Sequence, residues 1–175
     1  MRAIRVRALA DAPYAFGATL EDAERRSLED WEAQIERLPT FVWREGDADL
    51  GMVRGAPHDG DAEAAYLISM WVAPEGRGRG IGGALVAEVV TWARRHGFRR
   101  LVLDVAAQNA WARRLYERCG FVATGATGTL PPPRDHVQEL ELAFDLAAAA
   151  STAPTPPTSQ ALEPSVLPVS TFDTD

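Results

Sequence analysis

Val72-Ala73-Pro74-Glu75-Gly76-Arg77-Gly78-Arg79-Gly80-Ile81-Gly82-Gly83 carries five glycines and two arginines within its last eight residues. Just before it, Ala65–Val72 is an apolar run of strand length, which suits a strand covered on both faces. Just after it begins, Ile81, Leu85, Val89 and Trp92 recur at helical spacing, and Gly97 closes that helix. The stretch is therefore a glycine-rich turn between a buried strand and an amphipathic helix. Glycine lets the backbone take positive φ and approach a ligand closely. The free N–H groups of a helix start, aided by the helix dipole, favour an anion there. Successive amides in such a turn form a concavity of the same polarity, and a pyrophosphate is its natural guest. A merely flexible loop accounts poorly for this composition in this setting.

Three phosphate-binding patterns overlap on the turn. Gly78-Arg79-Gly80-Ile81-Gly82-Gly83 matches the dinucleotide fingerprint G-x-G-x-x-G, and Asp104 follows at about the distance of a ribose-binding acid. Against that reading, Ala73 to Arg77 separate the glycines from the strand, and too little chain follows Val105 for a second βαβ half. A Walker-type loop needs lysine, and all 18 basic residues here are arginine. The remaining pattern is R-x-x-G-x-G, carried by Arg77, Gly80 and Gly82.

Outward from the turn, helix and strand patterns alternate. Leu28, Trp31, Ile35 and Leu38 fall on one helical face that Pro39 ends. Phe41–Arg44 and Leu50–Arg54 flank Glu45-Gly46-Asp47 as a hairpin, and Gly55–Asp61 has loop composition. Leu101–Val105 predicts a strand, Ala110–Cys119 a helix stopped by Gly120, and Phe121–Thr124 and Val137–Phe144 two late strands. Arg2–Ala10 reads as a helix ending at Asp11-Ala12-Pro13, although Ile4, Val6 and Ala8 also alternate as a strand would. Residues 147–175 are mostly Ala, Pro, Ser and Thr and predict a disordered tail after a domain spanning 1–146.

A second motif joins the first. Asn109-Ala110-Trp111-Ala112-Arg113-Arg114-Leu115-Tyr116-Glu117-Arg118-Cys119-Gly120-Phe121 fits N-x-x-A-x-x-L-Y-x-x-x-G-F. With Tyr66–Glu75 as a central strand and its following proline, the chain from Ala64 to Thr124 resembles the GCN5-related N-acetyltransferase (GNAT) superfamily. The resemblance implies an α/β fold: a mixed, mostly antiparallel sheet with two splayed parallel central strands, flanked by helices. The family's opening strand is missing if Arg2–Ala10 is helical, which would leave a bare sheet edge.

The resemblance also implies the chemistry. Acetyl-CoA would lie between Ala65–Val72 and Leu101–Val105, its pantetheine arm on the backbone of Met70, Trp71 and Val72. Its pyrophosphate would rest on the amides of Arg77, Gly78, Arg79, Gly80, Ile81 and Gly82. A strand amide would stabilise negative charge growing on the thioester oxygen. Tyr116 is the expected general acid for the departing thiolate, and Asp104 the candidate base for the incoming amine. Asn109 would cap its helix, contact the cofactor, or both. Trp31, Trp43, Trp71 and Phe16 are core residues that could also edge an acceptor pocket. The expected acceptor is a small-molecule or peptide amine. The alternatives are a non-catalytic acyl-CoA-binding module and, on the overlapping glycine pattern, a dinucleotide-binding oxidoreductase.

Composition narrows the rest. The net charge of -7 and pI of about 5.0 disfavour phosphate-neutralising contact with nucleic acid, and mildly favour a cationic acceptor. Locally, the Arg77 and Arg79 side chains could still hold one anionic ligand. Cys119 is the single cysteine, and His58, His96 and His136 lack metal-ligand spacing, so neither a disulfide nor a metal site is expected. No run has the ~18 apolar residues of a membrane span, and Arg2, Arg5 and Arg7 interrupt any signal core. A cytoplasmic monomer or homodimer is the expectation.

Overall fold

The computed structural model describes residues 1–147 and 165–168. Helices α1 (Arg2–Asp11), α2 (Leu20–Arg25) and α3 (Leu28–Arg37) come first. The hairpin strands β1 (Thr40–Glu45) and β2 (Ala48–His58) lead into β3 (Asp61–Val72), α4 (Ile81–Arg95) and β4 (Arg100–Ala106). Helix α5 (Ala110–Arg118), β5 (Val122–Thr129), β6 (Gln138–Asp145) and β7 (Ser165–Pro168) complete the described elements. The strands form one sheet in the order β5-β6-β4-β3-β2-β1-β7. Only β3 and β4 run parallel, joined by the crossover through α4. The expected mixed, mostly antiparallel sheet with flanking helices is thus observed. A doubly wound dinucleotide fold is excluded, because it needs a run of parallel strands.

Local chemistry places the elements. Thr19 and Ser27 open α2 and α3 as reciprocal capping boxes with Asp22 and Asp30, each hydroxyl accepting the N–H three residues on. The first helix settles the ambiguity at the N-terminus: Ile4, Ala8 and Leu9 are almost fully buried on one helical face. Alternation along β2 then assigns the sheet its two faces. Gly51 and Gly55 lie against α4, where a Cβ would meet Leu85 at 2.9 Å and the Trp92 ring at 2.6 Å. Arg54 lies on the other face, with a guanidinium N–H directed to the Met1 sulfur at the start of α1. Register carries that second face across the sheet: Arg54 pairs with Ile68, Ala56 with Tyr66, and Tyr66 with Val102. Asp104, two residues beyond Val102, shares it.

Three sequence expectations change. The loop expected at Gly55–Asp61 is mostly strand: β2 runs to His58, and the turn shrinks to Asp59-Gly60. Gly55 mimics a loop residue in composition but is demanded by Trp92 packing. The strand expected at Phe121–Thr124 extends to Thr129 through a register shift after Ala123, where Gly125 has φ +89°. Finally, Ser165–Pro168, inside the expected disordered tail, pairs antiparallel with Phe41–Arg44 of β1. The edge of β1 offers unpaired backbone groups that even a short segment can satisfy. The rest of the tail, 148–164 and 169–175, lies outside the described residues.

Candidate active site

The sheet opens at its centre. Strands β3 and β4 pair at only three positions, Ala64 with Arg100, Ala65 with Leu101 and Tyr66 with Val102. Beyond Tyr66, β3 continues to Val72 held by β2 alone, while β4 continues to Ala106 held by β6 alone. A bulge sharpens the divergence. Met52 faces Trp71 and Arg54 faces Ile68, so Val53 alone stands opposite Ser69 and Met70. Ser69 takes φ +58°, rare for a residue with a side chain. The facing edges of Leu67–Val72 and Leu103–Ala106 thus border a gap, with main-chain polar groups of β3 directed into it.

The glycine-rich turn sits at the mouth of this gap. Gly78 and Gly80 have φ +77° and +83°, and Gly80 is the N-cap of α4 with no side-chain cap. The first turn of α4 holds no acidic residue, so its N–H groups and the dipole they sum to stay open to an anion. The two arginines point elsewhere. Arg77 donates to the Val72 carbonyl at 3.1 Å and ion-pairs with Asp11 at the end of α1. Asp11 also accepts the Trp71 indole N–H at 2.9 Å. Arg79 forks onto Glu45 at 2.7 and 2.8 Å. Each already faces a carboxylate, and what the turn presents to a ligand is its backbone. Arg77 and Arg79 tie the turn to α1 and to the β1–β2 hairpin.

The motifs predicted to act together meet at Gly82. A Cβ there would lie 2.9 Å from Leu115 Cδ2 and 3.7 Å from Met70 Cε, so β3, α4 and α5 converge on the one residue with no side chain. Next to Leu115, Tyr116 is 6% exposed, its ring tilted against Phe121 with centroids 5.8 Å apart. Burial, and then Cys119 one turn on, holds its phenol well above the usual value. The Tyr116 phenol thus stays protonated. Asn109 caps α5, its Oδ1 accepting the Ala112 N–H at 3.1 Å. Asp104 keeps solvent contact opposite Glu141 in the β4–β6 ladder. Partial burial and then the Glu141 charge raise its carboxyl above the ordinary Asp range, with His58 opposing weakly. Among the described residues, no group of three or more His, Cys, Asp and Glu could hold a metal, and no helix is long and apolar enough to cross a membrane.

Residues 4–121 match the model of the acetyltransferase (GNAT) family. The chain belongs to this family. Among curated relatives it is 36% identical over 124 residues to a mycothiol acetyltransferase of Thermobispora bispora, covering 68% of this chain and 41% of that protein. It is 32% identical to that of Nocardiopsis dassonvillei, covering 76% and 42%. The chain thus spans about two fifths of the length of these relatives. Among solved GNAT-fold structures, a ribosomal-protein-alanine N-acetyltransferase from Brucella melitensis superposes with a TM-score of 0.67 at 25% identity, covering 83% of this chain and 96% of that one. A Salmonella typhimurium protein solved with acetyl-CoA superposes at 0.66 and 21% identity, covering 87% and 92%. GNAT acetyltransferases use acetyl-CoA, and the donor set here fits it: a diphosphate for the uncapped start of α4, and an amide-bearing arm for the free edge of β3.

The GNAT motifs pointed to the cofactor side and left the other side unmarked. Sequence reasoning missed Ser69, Arg5 and Arg54. Arg5 falls in phase with Ala8 and Leu9 on the buried face of α1, and Arg54 in phase with Met52 on β2. A charged residue at an apolar phase was the available signal.

Proposed function

We propose that this chain transfers an acetyl group from acetyl-CoA to a primary amine of a small molecule or peptide by direct attack. The observation that supports it most is the parting of β3 from β4 after three paired positions, beside a helix start with neither cap nor acid. Bound acetyl-CoA supplies an activated acyl group as a thioester. The α4 amides orient it through its diphosphate, and the free edge of β3 fixes the arm and offers an N–H to charge developing on the carbonyl oxygen. Tyr116, buried and protonated, gives a proton or a strong hydrogen bond to the departing sulfur. Asp104, ionised above its raised pKa, takes the proton of the incoming ammonium directly or through water. The lone, half-buried Cys119 is in keeping with a cytoplasmic setting.

Calorimetric titration with acetyl-CoA tests the reading. Binding is expected in the ~1 μM–1 mM range usual for enzyme substrates, and Gly80→Trp, at φ +83° in the anion cradle, should remove it. No heat at ~1 mM cofactor, or unaltered binding by the variant, overturns the proposal. Release of free CoA thiol across an amine panel then separates an enzyme from a module that only binds acyl-CoA.

A further inference from the structure

The names of the relatives point to different acceptors, so the acceptor must be read from this chain's own residues. The face of the sheet that carries Asp104 also carries a pocket of about 130 Å³ bounded by α1, α2, α3 and the bulged part of β3. Three arginines line it, Arg5, Arg26 and Arg54, with Trp31 and Ser69. Arg5 and Arg54 are only 8% and 3% exposed. Among the described residues neither has a carboxylate within salt-bridge distance. Arg5 instead lies over the Phe16 ring at 4.5 Å, and Arg54 reaches the Met1 sulfur at 2.9 Å, a weak acceptor. Arg26 donates to the Gln34 amide oxygen at 2.9 Å and stands over the Trp31 ring at 5.0 Å. Three buried N–H groups, Arg5 Nη1, Arg54 Nε and Trp31 Nε1, have no acceptor at all.

A buried guanidinium normally has a partner anion, because leaving the charge desolvated and unpaired is costly. Here two sit together with a third beside them. Burial, and then mutual repulsion among the arginines, pulls Arg5 and Arg54 down to about 10. Cation and donors are therefore in place and the anion comes from outside. Location says which molecule brings it. Ile68 and Ser69, which wall the pocket, directly precede Met70, Trp71 and Val72, the segment that borders the central gap.

We propose that the acceptor amine carries a carboxylate and that Arg5, Arg26 and Arg54 hold it. The assignment rests on the acetyltransferase reading above and adds an anionic group to the cationic acceptor that net charge mildly favoured. The same face supplies the other half of the match. Asp104 lies across from Glu141, with Glu139 beside them opposite Ala106, so an ammonium meets acids while its carboxylate meets arginines.

The test uses full-length protein saturated with CoA, titrated calorimetrically with free amino acids and dipeptides, the matching carboxamides, and phosphoethanolamine. At least one carboxylate ligand is expected to bind, ~30-fold or more tighter than its amide, because the amide leaves buried charge unanswered. Arg54→Met should bring acid and amide within ~3-fold of each other while CoA affinity holds. If that variant does not fold, Arg26→Gln, at a half-buried position, should reduce the preference by ~5-fold or more. The proposal is overturned if no carboxylate binds, if amides bind equally, if phosphoethanolamine is preferred, or if the folded variants keep the full preference. Failure of CoA itself to bind would instead strike the acetyltransferase reading.

Discussion

Burial shifts two residues, one in the second motif and one in its neighbouring strand, in the same upward direction. Tyr116 is held protonated by burial, which disqualifies it as a base and makes it a weaker acid, so its hydroxyl serves a departing thiolate by hydrogen bond more than by full proton transfer. Tyr116→Phe keeps the ring packed on Phe121 and removes only the hydroxyl. Turnover should fall by ~10²–10⁴-fold with CoA affinity unchanged, a split read by steady-state kinetics beside calorimetry; equal losses in both would mean the hydroxyl serves binding. Asp104 is raised, first by burial and then by Glu141. A raised carboxyl stays neutral to higher pH, and a base needs its ionised form. The acid limb of kcat/KM should therefore lie above the ordinary Asp value of ~3.9. Glu141→Gln removes the second cause, so that limb should move to lower pH. A limb that stays put excludes Asp104 as the group that titrates.

At the scale of elements, glycines at contact points decide how closely helices approach the sheet. Gly82 lets α4, α5 and β3 meet, and its would-be Cβ falls on Leu115. Gly82→Val should spread that junction, lowering CoA affinity by ~10-fold or more along with stability. Gly55→Ala strikes the rigid Trp92 ring at 2.6 Å on the α4 face of β2. It should cost ~1–3 kcal/mol by overpacking, read as a lower Tm, with a smaller loss of CoA affinity than Gly82→Val, since it meets α4 at Trp92 and not at the glycine-rich turn. The contrast shows what the chain made legible. The strand–turn–helix around Gly80 and the capped helix from Asn109 could be read because their signals are local: apolar period, glycine and cap within a dozen residues. Gly55 was misread because its reason lies in Trp92 of α4, distant in sequence and packed on that face of the sheet. The bulge at Ser69 left no local signal, since it arises from pairing with Val53. The arginine pocket was equally hidden, because Arg5, Arg26 and Arg54 belong to separate elements and converge only in the folded state.

At the scale of the whole molecule, the sheet has one edge whose cover comes from far along the chain. Among the described residues only helices precede β1, and Ser165–Pro168 takes the outer position beside Phe41–Arg44. Without that segment, β1 would present a row of free N–H and C=O groups, an edge prone to pair with another copy. The central gap lies inward of this edge, shielded by β1 and β2. The two ends of the sheet should therefore separate in function. A chain ending at residue 147 should bind acetyl-CoA with unchanged affinity but melt lower and self-associate with rising concentration, followed by sedimentation velocity. A truncated protein that stays monomeric and melts with the full chain would show that β7 contributes nothing to the edge. A truncated protein that loses acetyl-CoA binding would show that the edge and the gap are coupled through β1 and β2.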